Sequence, residues 1–146
     1  MRLVVVAALC AVAPGADALE RAESANVEQN YLLFCGGCHG REGAGVPHRV
    51  PPLKGGIGRF LRAEGGRELL LRFPGVANSA LSDAALADVM NWCITRFAGS
   101  ERPAGFAAYS AAEVRAARSS PLLNIQRSRR ELMLRAGLAS EEAERY

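Results

Sequence analysis

Apolar residues recur along this chain in two ways: as one continuous run at the start, and as a helical stripe near the middle. The stripe is Leu86, Val89, Met90, Cys93, Ile94 and Phe97. The spacing i, i+3, i+4, i+7, i+8, i+11 is one face of an α-helix, so a helix is expected from Asp83 to about Phe97. Ser82-Asp83 supplies its N-terminal cap, and Trp92 stands at the edge of the stripe. Weaker patterns predict a first helix capped by Ser24, with Val27 and Glu28 in its first turn and Asn30–Phe34 continuing it, and short helices over Ile57–Leu61 and Arg67–Phe73. Pro74-Gly75 stops the last of these, and residues 76–81 read as a loop. Beyond Gly99 the composition changes. Residues 101–109 read as an extended strap, and Ser110-Ala111-Ala112-Glu113 is a capping box opening a helix to about Ser119. A final helix is expected from Pro121 to about Ala136, carrying Leu122, Ile125, Leu132 and Met133, with Gly137 as its cap. Between the first helix and the middle ones, residues 40–56 are rich in Gly and Pro and exclude helix.

The continuous run is of another kind. Arg2 precedes eleven apolar residues, Leu3–Ala13; Pro14 and Gly15 break them, and Ala16-Asp17-Ala18 offers a small-x-small cleavage site. Eleven residues are too few to span a bilayer, so residues 1–18 read as a secretory signal peptide that takes Cys10 with it. The organisation expected is a signal at 1–18, one domain at 19–99 and a helical extension at 100–146. The exported chain is expected in the periplasm, peripheral to a membrane at most.

The 146 residues are 49% hydrophobic and only 6% aromatic, and 18 Lys and Arg stand against 15 Asp and Glu. The charge is too mild and too dispersed for nucleic acid.

The chemistry is concentrated in Cys35-Gly36-Gly37-Cys38-His39. Two cysteines two residues apart and followed by histidine have the spacing for covalent haem c. Cys35 and Cys38 fall on nearly one face of a helical turn, each within reach of one porphyrin vinyl group, and His39 supplies the proximal iron ligand. A redox dithiol or half of a zinc site shares the CxxC spacing, but zinc would need two more ligands, and no second CxxC or HxxxH is present. A Pro51 or Pro52 carbonyl in the following turn is the expected acceptor for the other ring N–H of His39. Arg59, Arg62, Arg67 or Arg72 could pair with a haem propionate. Arg127, Arg129 and Arg130 form a small basic cluster that reads first as a solvated helix face and, as the alternative, as a surface that steers an acidic redox partner. Cys93, left over, reads as a core thiol.

With these residues in place, the stretch from about Ser24 to Phe97 resembles a class I c-type cytochrome: first helix, CGGCH, glycine loop, Pro-Leu-x-Gly turn, small middle helices and a final amphipathic helix bearing an aromatic. The resemblance implies an all-α, cytochrome c-like haem domain with a C-terminal helical extension and one covalent haem c. It implies single-electron transfer with redox partner proteins, a dehydrogenase or an oxidase, rather than an enzyme. Trp92 would pack on the first helix near Phe34. Members place a methionine before the final helix as sixth iron ligand; residues 74–81 hold no Met, His, Lys or Cys. Met90 and His48 are the leading substitutes, followed by Met133, Tyr109, Asn78 or water. An open or weakly held sixth site that binds small ligands or peroxide is the alternative.

Overall fold

The computed structural model describes residues 26–135; the expected signal peptide, Ser24, Gly137 and the charged tail lie outside the described residues. Eight α-helices follow one another in this span: α1 Val27–Phe34, α2 Gly36–His39, α3 Ile57–Arg62, α4 Gly66–Arg72, α5 Pro74–Ala77, α6 Asp83–Phe97, α7 Ala111–Arg118 and α8 Ile125–Arg135. A 3₁₀ turn, Gly99–Glu101, follows α6. The only strand-like pairing among the described residues is a bridge between Val46 and Val50. The architecture is all-α, as expected.

The long helix α6 forms where the stripe placed it. The Ser82 hydroxyl accepts a hydrogen bond from the Ala85 N–H and satisfies one open donor of the first turn. Leu86, Val89, Met90, Cys93, Ile94 and Phe97 are all buried. On one side α6 meets α1, through Tyr31. This ring is fully buried and lies 5.0 Å from the Trp92 ring and 5.4 Å from that of Phe97. Trp92 thus packs on α1, against the Tyr31 ring, while Phe34 is 46% exposed.

On its other side α6 meets α7, whose capping box forms as expected: Ser110 Oγ accepts from the Glu113 N–H, and the Glu113 carboxylate accepts from the Ser110 N–H. Val114 is fully buried beneath it. Two other elements begin elsewhere than the pattern suggested. Pro74 opens α5 instead of only ending α4, since proline fits the first helical position. Pro121 does not open α8. Residues 120–122 lie against α4, where the Leu122 N–H donates to the Arg72 carbonyl, and Asn124 Oδ1 caps the helix by accepting from the Arg127 N–H. Among the described residues no helix is long and apolar enough to cross a membrane.

Candidate haem site

The motif sits where α1 ends. The Cys35 N–H donates to the Tyr31 carbonyl at 2.8 Å, closing α1, and the backbone of Cys35 then leaves the helical region. This break starts α2. The N–H groups of Cys38 and His39 both donate to the Cys35 carbonyl, at 3.2 and 3.0 Å. One short turn thus carries both thiols and the imidazole. Cys35 is half-buried and Cys38 exposed, and both are free thiols. Burial first, then the neighbouring Cys38, pushes the Cys35 thiol up to about 11.

His39 is half-buried, and its Nδ1 lies 3.1 Å from the Pro51 carbonyl oxygen. The carbonyl can only accept, so the proton is on Nδ1 and the Nε2 lone pair is free. Of the two prolines expected to hold the ring, Pro51 does so. Burial lowers the imidazole pKa, and the Pro51 hydrogen bond opposes that shift.

Two supports escape the sequence pattern. The Tyr31 hydroxyl donates to the Gly40 carbonyl at 2.6 Å, pinning the exit of the motif to α1. Its spacing, four residues ahead of Cys35 on a helix, was the available signal. The second is Gly43, whose carbonyl accepts from the N–H groups of Leu53 and Lys54 and draws the proline turn back towards the motif.

The remaining candidates are scattered. Met90 is buried in the core on α6, at 6% exposure. His48 is exposed at the tip of the Val46–Val50 turn, in the left-handed region with φ 60°. Met133 is buried; so is Tyr109, whose hydroxyl donates to the Arg67 carbonyl at 2.8 Å. Asn78 is exposed on the stretch before α6. Three of the four arginines considered for a propionate are engaged by the protein itself: Arg62 with Glu101, Arg67 with Glu113, and Arg72 with Glu68. The basic cluster on α8 is also divided. Arg127 pairs with Glu131, Arg130 is exposed, and Arg129 is buried with its guanidinium over the Phe60 ring. Cys93 is buried, which raises its thiol pKa far above the usual range, as a core thiol requires.

The geometry can be set beside known proteins. No family profile matches the chain. A cytochrome c-552 from Thermus thermophilus is 31% identical over 126 residues, which covers 74% of this chain and 82% of the relative. A second Thermus thermophilus cytochrome c-552 is 32% identical over 106 residues, covering 60% and 81%. The chain belongs to the class I-like c-type cytochromes. Its cofactor is a covalently attached haem c, and its business is electron transfer.

The donor set of this cytochrome fits that group. Two free thiols share one turn with an imidazole whose Nδ1 is tied back and whose Nε2 is open. Apolar side chains on separate elements, among them Leu32, Leu53, Leu69, Phe73 and Val76, pack on the core yet remain half-covered by protein. A large flat apolar body would cover surface of this kind, in a chain with few aromatic residues to do so.

Proposed function

We propose that the cytochrome is a periplasmic one-electron carrier, not an enzyme, that holds a single haem through thioether bonds at Cys35 and Cys38 and through the Nε2 of His39. The observation that carries this reading is the His39–Pro51 hydrogen bond within the turn that also bears both thiols. It orients the ring and leaves one nitrogen for iron. When bound, haem supplies the ferric/ferrous couple; the chain holds the cofactor and tunes it. Partners are redox proteins, with a dehydrogenase that needs an electron acceptor as the leading class and an oxidase as the other. The reading is tested by expressing the full chain with haem-attachment machinery. The exported protein is expected to carry haem that survives acid-acetone extraction. Cys38→Ala is expected to keep one thioether and shift the pyridine haemochrome band to that of a single-bond haem. Haem that is extractable from the wild type would sink the reading.

A second reading is favoured by residues 74–81, which hold no Met, His, Lys or Cys, together with the burial of Met90 in the α6 core. In it the sixth position is open or weakly held, and the protein binds a small ligand or peroxide. A high-spin ferric spectrum with rapid carbon monoxide binding by the ferrous form would favour this reading. A low-spin spectrum that is lost in Met90→Ala or in His48→Ala would return that residue to the iron.

A further inference from the structure

The segment between the motif and α3 is folded back on itself by a set of backbone bonds. The Gly45 N–H donates to the His39 carbonyl at 2.9 Å. Val46 and Val50 then bond to each other in both directions, at 2.9 and 2.8 Å, and the Arg49 N–H adds a third bond to the Val46 carbonyl. Past the turn, Gly43 accepts from Leu53 and Lys54 at 2.8 and 3.0 Å. Pro51 is held between these two clasps, with its carbonyl facing His39.

Gly45 lies directly against that carbonyl. A Cβ placed on Gly45 would stand 2.3 Å from the Val50 oxygen, 2.8 Å from the Pro51 oxygen and 2.9 Å from the Pro51 carbonyl carbon. All three atoms are backbone, so no rotamer change relieves the contact. The backbone at 50–51 would have to recede, and the acceptor of the His39 proton would go with it.

We propose that Gly45 is a positioning residue for the iron's imidazole ligand: its bare Cα lets the Pro51 carbonyl approach Nδ1 of His39 and so sets how firmly that N–H is held. This rests on His39 as the proximal ligand. A ligated imidazole whose second N–H is held by a carbonyl is a more basic ligand. A more basic ligand favours ferric over ferrous iron. Weakening the bond therefore raises the reduction potential.

Steric crowding must be separated from backbone strain, because Gly45 also has φ +68°. Gly55 provides the match. It has φ +71°, and nothing stands within 4 Å of where its Cβ would be. Alanine there meets the same left-handed penalty without pressing on Pro51.

The test compares haem-loaded wild type, Gly45→Ala and Gly55→Ala in the full chain. The readouts are covalent haem content, reduction potential by redox titration, and exchange of the His39 Nδ1 proton by NMR in the ferrous state. Gly45→Ala is expected to raise the potential and to speed exchange about tenfold, the equivalent of one ordinary hydrogen bond. Gly55→Ala is expected to lose stability and to keep the wild-type potential and exchange rate. If Gly45→Ala does not accumulate, Gly45→Ala in an Arg49→Gly background gives the turn slack to recede; it is then compared with Arg49→Gly alone, with the same rise expected. Wild-type potential and exchange in Gly45→Ala, or equal shifts in both alanine variants, would overturn the proposal. Those outcomes leave the haem on Cys35 and Cys38. Failure of the underlying reading looks different: a wild type without covalent haem, or a His39→Ala variant with an unchanged spectrum.

Discussion

The loop of residues 40–55 and the strap of residues 102–122 both wrap the same helices, but different atoms hold them. The loop is folded on itself by backbone-to-backbone bonds, Gly45 to His39, Val46 to Val50, and Gly43 to Leu53 and Lys54, with Gly55 bonded to Phe97; the Tyr31 and His39 side chains and the Arg41–Glu28 and Arg96–Glu42 pairs add to this frame. The strap is held by side chains. The Arg67 guanidinium pairs with Glu113, donates to the Ala107 and Ala108 carbonyls, and lies 4.2 Å from the centre of the Tyr109 ring. Asn91 holds Tyr109 at both its carbonyl and its N–H, at 3.0 and 2.7 Å. Arg118 donates to the carbonyls of Ala77, Ser79 and Leu81 and pairs with Asp83, so one guanidinium gathers the whole stretch that leads into α6. A haem ligand needs a fixed position, and a short backbone ring provides it at little entropic cost. A strap far along the sequence from its partners needs long polar side chains to reach them. The segment after α6 is thus fastened along α4, α6 and the stretch between them.

The contrast predicts that side-chain changes will release the strap and leave the motif's frame in place. The largest effect falls at Arg118. Arg118→Ala strands three carbonyls and half of the Asp83 ion network, and should cost about 3 kcal/mol in urea unfolding. His39 should keep its Nδ1 bond, seen as unchanged proton exchange. Equal loss of that protection would mean that strap and loop are one unit.

A smaller effect comes from acid. The hydrogen bond from Arg67 in first place, then the Ser110 N–H, lowers the Glu113 carboxyl from 4.5 to about 2. At Asp83 burial pushes upward, but the hydrogen bonds from Arg115 and Arg118 outweigh it and hold the carboxyl down. A depressed carboxyl stabilises the fold above its unfolded pKa and loses that contribution as pH falls to the folded value. Glu113 therefore stabilises the strap fully above pH 4.5 and no longer does so below about 2. Its side chain is 43% exposed, so solvent screening limits the effect to about 1 kcal/mol. Unfolding midpoints of wild type and Arg67→Ala, measured across this pH window, should converge towards the acid end; parallel curves would dismiss the ion pair as a latch.

The smallest effect belongs to the loop. His48 is the one described non-glycine residue with positive φ. His48→Gly removes that strain and should raise stability by about 0.5 kcal/mol, after part of the gain is lost to the freer unfolded chain. A loss of stability would show that the imidazole has a tie of its own.

Much of this was legible beforehand, for a definite reason in each case. Helix α6 follows from its stripe, and the α7 start follows from the four residues of its capping box, because both signals are local. The motif's chemistry follows from three residues in one turn, and the pair Pro51 and Pro52 as candidate anchors of the imidazole from the proline-rich stretch after it. Trp92 packs on the first helix as expected, but that Tyr31 is the ring it meets there depends on how two helices pack. Pro121 misleads as a helix start because proline signals permission and not obligation; the Asn124 cap decides the matter. Three of the four arginines considered for a propionate face carboxylates of the chain, and for Arg62 and Arg67 the partner lies far along the sequence.

By itself, then, the sequence determined the all-α pattern, the haem-binding turn and the change of composition after Gly99, since each is written in neighbouring residues. Only the tertiary structure decided which carbonyl faces His39, that Gly45 must be bare to let it approach, and that Arg67 and Arg118 fasten the strap. Those depend on distances between segments that share no local signal, and a side chain's partner is fixed only when the packed helices bring it within hydrogen-bonding reach.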